Sequence, residues 1–197
     1  MNDVTPTRSA LLELVEEQRA VRDGYQFLDE KRLLLAAEML RQLRRYEGAL
    51  AAFEERAQPA LDALRAAVGR HGLNGVQVYP AVPLENIEIQ VARHQLLGVK
   101  LLEAGWRGEP GKTPAAEHPS PEAELARGLF ADLVRRAAAL AALAGNLERL
   151  RFEYRRTERR ARALEGVLIP EIDSAIKELE TRLEEIEQEE TIRVRQA

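Results

Sequence analysis

Apolar residues recur every three or four positions over the first third of the chain: Leu11, Leu14, Val21, Tyr25, Leu28, Leu35, Met39, Leu43, Tyr46, Leu50, Phe53, Ala57, Leu61, Leu64 and Val68. Gln18 and Arg32 fill the gaps in that series. The steps average close to the roughly 3.5-residue period of a heptad repeat, with extra four-residue steps at Leu35-Met39-Leu43 and Phe53-Ala57-Leu61, which predicts a long amphipathic helix whose supercoil is locally unwound. Thr7 or Ser9 is the expected N-cap, and Pro59 is expected to kink or break the helix. A second stripe runs Leu147, Leu150, Tyr154, Thr157, Ala161, Leu164, Leu168, Ile172, Ile176, Leu179, Leu183, Ile186, within a helix predicted from about Pro121 to Val194. From Leu164 to Ile176 it takes three four-residue steps in a row with Pro170 inside them, which predicts a bend or change of supercoil rather than a helix end. Each arm is on the order of 60 to 70 residues, roughly 90 to 105 Å at about 1.5 Å per residue. A helix of that length has no globular core to lie on, so each arm needs the other as its partner.

Between the arms the pattern changes. His71-Gly72-Leu73-Asn74-Gly75 signals a turn. Asn86 to Arg93 alternates polar and apolar as a half-buried strand does, and Leu96 to Leu102 supplies a hairpin partner. Gly105 to Pro121 is rich in proline and glycine and reads as a flexible loop. The expected fold is therefore all-α dominated. A long antiparallel two-helix coiled coil is formed by an N-terminal arm (residues 1–69) and a C-terminal arm (122–197), with a small β-hairpin head and loop (70–121) between them. Leu28, Leu35, Met39, Leu164, Leu168, Ile176 and Leu183 are its expected core contacts.

Composition narrows the function classes. Hydrophobic residues make up 45% of the 197 and aromatics only 5%, with alanine, leucine, glutamate and arginine dominant, which favours long helices over a globular core. A net charge of −4 argues against a nucleic-acid partner. With no cysteine, thiolate and disulfide chemistry are excluded. The N-terminal residues lack a basic segment followed by an apolar run, and no apolar stretch approaches the roughly 20 residues that span a bilayer. A cytoplasmic protein without direct membrane insertion is the expectation, one that could still work beside a membrane through a partner. Charge is distributed unevenly along the second arm. Leu147 to Leu168 holds seven arginines against four glutamates, whereas Glu171 to Glu190 holds nine acids against two bases. Interleaved charges of this kind form i,i+4 pairs on a solvated face; they also suit a shaft with a basic girdle and an acidic tip.

Nothing in the pattern points to catalysis. Gly108-Glu109-Pro110-Gly111-Lys112-Thr113 ends like a phosphate loop, but Trp106 stands where its first glycine belongs, and Pro114, Pro119 and Pro121 follow in place of a helix start. His71, His94 and His118 have no metal-ligand spacing. Ser9, Ser120 and Ser174 lack a nucleophile context, and the many carboxylates sit on helix faces without a pocket. No metal or cofactor is expected.

The stretch from Arg155 to Pro170, Arg-Arg-Thr-Glu-Arg-Arg-Ala-Arg-Ala-Leu-Glu-Gly-Val-Leu-Ile-Pro, resembles the signature of the D-subunit family of V/A-type ATPases, roughly T-x-R-R-V-N-A-L-E-x-V-x-I-P. Pro6-Thr7-Arg8, Gly24 with Leu28, Lys31, Arg32 and Leu33, Gly98-Val99-Lys100, and Leu183 to Glu190 are similar to the family's N-terminal arm, head and acidic C-terminal stretch. The likeness covers both arms in order. It departs from the family at Ala161-Arg162, where Val-Asn is usual, and at Leu33, where an aspartate is usual.

The resemblance implies a non-catalytic rotor shaft. Such a shaft enters a hexamer of A and B subunits, carries a small F subunit on its side, and is coupled at its base to the membrane ion ring through a socket subunit. Arg155, Arg156, Arg159, Arg160 and Glu187 are the outward charges it nominates as partner contacts. A free-standing coiled-coil adaptor would show the same apolar stripes.

Overall fold

The computed structural model describes residues 6–196. Its elements are α1 (Arg8–Gln77), β1 (Glu88–Leu96), β2 (Val99–Arg107), α2 (Pro121–Ala163), a π-helical turn (Leu164–Leu168) and α3 (Ile169–Gln196). The chain divides into two compact units, one of residues up to 36 with 153 onwards, the other of residues 37–152.

The first unit pairs the start of α1 antiparallel with the end of α2, the π turn and α3. Thr7 caps α1, its hydroxyl accepting from the Ala10 amide at 3.1 Å. Leu35, Thr157, Ala161, Ile172, Ile176 and Leu179 are buried, and Leu28, Leu164, Leu168 and Leu183 are half-buried. The widened turn falls where the apolar stripe takes its run of four-residue steps. Three turns of regular α-helix hold about 11 residues, but Leu164 to Ile176 spans one more than that. The π turn takes up the extra residue, with the Ile169 amide donating to the Leu164 carbonyl, and the stripe stays on one face. Pro170 follows directly. Its missing N–H and bulky ring are poorly suited to a regular turn, and the widened one precedes it. The helix continues beyond, as the sequence predicts.

In the second unit the rest of α1 packs antiparallel to most of α2 through small residues. Ala60, Ala63 and Ala67 are buried from α1, and Ala123, Ala126, Leu133 and Leu150 from α2. α1 runs through Pro59 unbroken; the residue with non-helical dihedrals inside it is Gly72, at φ 70° and ψ 168°. The buried face also departs from the predicted stripe. Leu43 and Leu61 are largely exposed, while Glu38, Gln42, Ala60 and Ala63 are buried and Met39 is half-buried. Reading the four-residue steps as continuous carries the stripe around the helix faster than the helix turns, so the true seam lies one residue earlier.

α2 starts on a built cap. Ser120 is buried, its hydroxyl accepts from the Ala123 amide at 3.3 Å, and Pro121 occupies the first helical position, where a missing N–H costs nothing. The two strands form an antiparallel hairpin in which Leu96 pairs with Val99 across Leu97-Gly98. Both turn residues have positive φ, 50° and 87°, as a tight hairpin turn of matching twist requires. The strands lie two to five residues further along the chain than the sequence pattern indicates, and β2 absorbs Gly105, Trp106 and Arg107 from the predicted loop.

Candidate partner-contact surfaces

A ladder of polar rungs crosses the helix pair of the first unit. Lys31 donates to Glu153 at 2.5 Å with both side chains about four-fifths covered. Gln18 donates to Asp173 at 2.6 Å, and Arg22 reaches the same carboxylate at 3.2 Å. Arg8 pairs with Glu187 at 2.6 Å on an exposed part of the surface. Partial burial, and the Glu165 carboxylate beside it, push the Tyr25 hydroxyl above the usual phenol range. Each rung tethers a different point of α1 to one point of the opposing helix, so together they oppose sliding of one helix along the other. Gln18, a gap in the apolar series, is thus a cross-helix contact; the other gap, Arg32, pairs with Asp29 one turn away at 2.5 Å.

The arginine stretch faces outward. Arg155, Arg156, Arg159 and Arg160 are all exposed. Arg156 comes within 4.0 Å of Glu153, and among the described residues no ion pair engages Arg155, Arg159 or Arg160. Glu187 is exposed but held by Arg8. On the opposite face of the same stretch, Leu150, Thr157 and Ala161 are buried, so the helix separates a packed side from an uncommitted cationic one.

In the second unit the hairpin is fastened to both helices. Asn146 of α2 is buried and bonds both backbone groups of Leu102, accepting from its N–H at 2.8 Å and donating to its C=O at 2.8 Å. Arg149 donates to the same Asn146 oxygen at 2.7 Å, its guanidinium folded over Gly145. Arg45 of α1 reaches Glu103 on β2 at 3.3 Å. Glu38, also on α1, is buried. Burial pushes its carboxyl up, but hydrogen bonds from Arg41 and Gln42 and the charges of Arg41 and His94 outweigh this and hold it below the usual carboxylate range. The sequence pattern misses Asn146 and Glu38. A lone asparagine in an alanine-rich helix is the available signal for the first; the second hides among surface charges of its own type.

Near the chain reversal, Tyr79 to Leu84 lie over an apolar cleft of about 300 Å³ lined by Leu64, Ala67, Ala126 and Phe130 among others. Arg127 donates to the Pro80 carbonyl at 3.1 Å and stacks on Tyr79. His71 meets the Ser120 hydroxyl at 2.7 Å, and Arg70 meets Glu122 at 2.6 Å. Leu73 and Val78 are exposed here, Val78 to 82%. Lys112 and Thr113 lie in an irregular loop, and the next helix starts only at Pro121. No described helix is long and apolar enough to cross a membrane.

The pattern defining the ATP synthase D subunit matches residues 10–197. The chain is 30% identical to the D subunit of the A-type ATP synthase of Thermococcus sibiricus, over 98% of this chain and 92% of that protein. It is 27% identical to the D subunit of the V-type ATP synthase of Thermotoga neapolitana, over 98% of this chain and 95% of that protein. A similar match, 27% over 98% and 94%, joins it to the D subunit of the A-type ATP synthase of Methanosarcina acetivorans.

Proposed function

Because the chain belongs to the D-subunit family of V/A-type ATP synthases, whose members form the central stalk, we propose that it carries torque between a hexamer of A and B subunits and the membrane ion ring. A small F subunit lies against its side, and a socket subunit receives its base. The observation that supports this reading is the ladder from Arg8–Glu187 through Gln18–Asp173 to Lys31–Glu153. A shaft that turns inside a stator must resist axial slip between its two helices without a core of its own. Polar rungs do this because each has one geometry, whereas an apolar seam alone tolerates sliding.

The outward arginines suit a contact with the stator or with the F subunit. Arg155 and Arg159, one turn apart, and Arg156 and Arg160, likewise one turn apart, offer a cationic strip beside the buried seam. Glu187 and the acids around it provide a contact of opposite sign further along. Leu73 and Val78 at the chain reversal offer an apolar contact for the socket.

The test is reconstitution of the rotary complex with Arg155→Glu and Arg159→Glu together. Loss of F-subunit retention, or of coupling between ATP turnover and ion movement, is expected, with helix content unchanged. Full assembly and full coupling in the double variant would remove these arginines from the contact, and failure of the unaltered chain to assemble with any other component of an ATP synthase would overturn the whole reading.

A further inference from the structure

The hairpin has one edge held and one edge open. Pairing across the tight turn makes Leu96 with Val99 a hydrogen-bonded pair, and such pairs alternate along an antiparallel ladder. The backbone groups of Lys100, Leu102, Ala104 and Trp106 therefore point away from β1; on that side Asn146 takes both groups of Leu102. By the same alternation, the N–H and C=O of Ile89, Val91, Arg93 and Gln95 point outward from β1. Among the described residues no hydrogen bond engages them, and β1 is exposed from Glu88 to Gln95 on both faces. The side chains at these same positions share one face, and Ile89 and Val91 are 54% and 45% exposed. Proteins usually blunt such an edge with proline, a bulge or lysine. β1 has no proline, bulge or lysine; of the other charged residues that can serve this purpose it has Arg93 at an outward position and Glu88 at its start.

A groove of about 480 Å³ at the hairpin tip, on the side of Arg93, is lined by Arg93, His94, Gln95, Lys100, Leu102 and Arg149, three cations and no carboxylate. We propose that β1 is a docking edge for an extended segment of a partner polypeptide. That segment adds a third strand, sets apolar side chains opposite Ile89 and Val91, and places a carboxylate beside Arg93 with Lys100 and Arg149 behind it. A second copy of this chain is a poor occupant. Its outward positions hold Ile89, Val91, Arg93 and Gln95, so antiparallel self-pairing through them sets Arg93 against an apolar, neutral or like-charged residue and never against an acid. Main-chain bonds along a strand edge supply affinity, and the alternate side chains supply selectivity.

Hydrogen exchange of the intact rotary complex, compared with the isolated full-length chain, tests this. In the chain alone, the amides of Ile89, Val91, Arg93 and Gln95 exchange freely while those of Gln90, Ala92 and His94 are protected. In the complex all are protected. Arg93→Glu restores fast exchange to the outward amides while the inward ones stay protected, which shows the hairpin intact; Arg93→Lys behaves like the unaltered chain. Equal exchange of the outward amides in both states overturns the proposal. So does full protection in the Arg93→Glu complex, because the acidic segment is then not what binds. Protection that grows with concentration of the isolated chain overturns it in favour of self-pairing. The inference takes its partner from the assembly proposed above, and the two fail separately. A chain that brings down no other ATP synthase component ends that reading, whereas a chain that brings them down with β1 still exchanging freely ends only this one.

Discussion

The side-chain amide of Asn146 holds both backbone groups of Leu102, at 2.8 Å each, as a neighbouring strand would. A two-stranded hairpin is marginal by itself in water. Here a single buried residue of α2 gives β2 the pairing that a third strand would give. Asn146→Ala removes three hydrogen bonds, two to Leu102 and one from Arg149, orphans the Leu102 groups, and is expected to cost about 2 kcal/mol. The amide of Leu102 then exchanges faster, and the amides of Ile172 and Ile176 in the other unit do not change. Chemical denaturation together with residue-resolved hydrogen exchange checks both parts.

The π turn makes a prediction about residue number rather than residue type. Deleting Gly166, with Pro170→Ala to restore the amide, leaves about 11 residues for three turns and lets Leu164 to Ile176 run as regular helix with its stripe in place. That variant is expected to stay within about 1 kcal/mol of the parent. Deleting Arg159 instead, an exposed residue of regular α-helix, rotates the seam on one side of the deletion by about 100° relative to the other and sets exposed charges against Leu35. It is expected to lose several degrees or more of Tm. Thermal unfolding by circular dichroism compares the two deletions directly.

Much of this was open to view in the sequence. The second arm's stripe is buried or half-buried from Leu147 to Leu183, and its irregular step at Leu164 to Ile176 marks the π turn, because helical phase is a counting property that a sequence displays. The first arm was harder. Where large apolar residues give way to alanine, Leu43 and Leu61 look like core by size, whereas close helix packing selects Ala60, Ala63 and Ala67 by their smallness. Outward arginines can be placed by phase alone. Asn146, Glu38 and the free edge of β1 could not, because each depends on which element of the fold lies alongside, and a linear pattern does not contain that.

Two glycines separate backbone need from convenience. Gly108 has φ +98°, and a Cβ there would lie 2.2 Å from the Asn86 carbonyl oxygen, so Gly108→Ala must push the base of the hairpin apart. A cost of about 2–3 kcal/mol is expected, seen as accelerated exchange at Glu88 and Arg107. Gly24 sits in α1 with helical dihedrals, and an added Cβ would meet Leu164 Cδ1 at 3.8 Å, ordinary contact distance. Gly24→Ala is expected to stabilise the first unit by about 0.5–1 kcal/mol. A Gly24→Ala variant less stable than the parent would mean that the helices must approach more closely there than the structure shows.

Glu38 gives the second unit an acid-sensitive joint. It accepts from Arg41 at 2.8 Å and Gln42 at 2.7 Å, with the charge of His94 on β1 acting in the same direction and Glu103 close enough to Arg41 to share its field. The carboxyl's folded pKa lies below its ordinary value of 4.5. A depressed folded pKa means that the unfolded chain binds the proton more readily, so ionised Glu38 stabilises the fold fully above the ordinary value. That contribution declines as pH falls through 4.5 and is gone once pH has passed below the folded pKa. Glu38→Gln keeps the shape and a hydrogen-bonding oxygen but removes the titration. Its stability is expected to be lower than the parent's at pH 7 and to converge with it as pH falls below 4.5. Urea denaturation across that range measures the difference directly. Parallel curves for parent and variant would show that the proton taken up on unfolding goes to some other carboxylate.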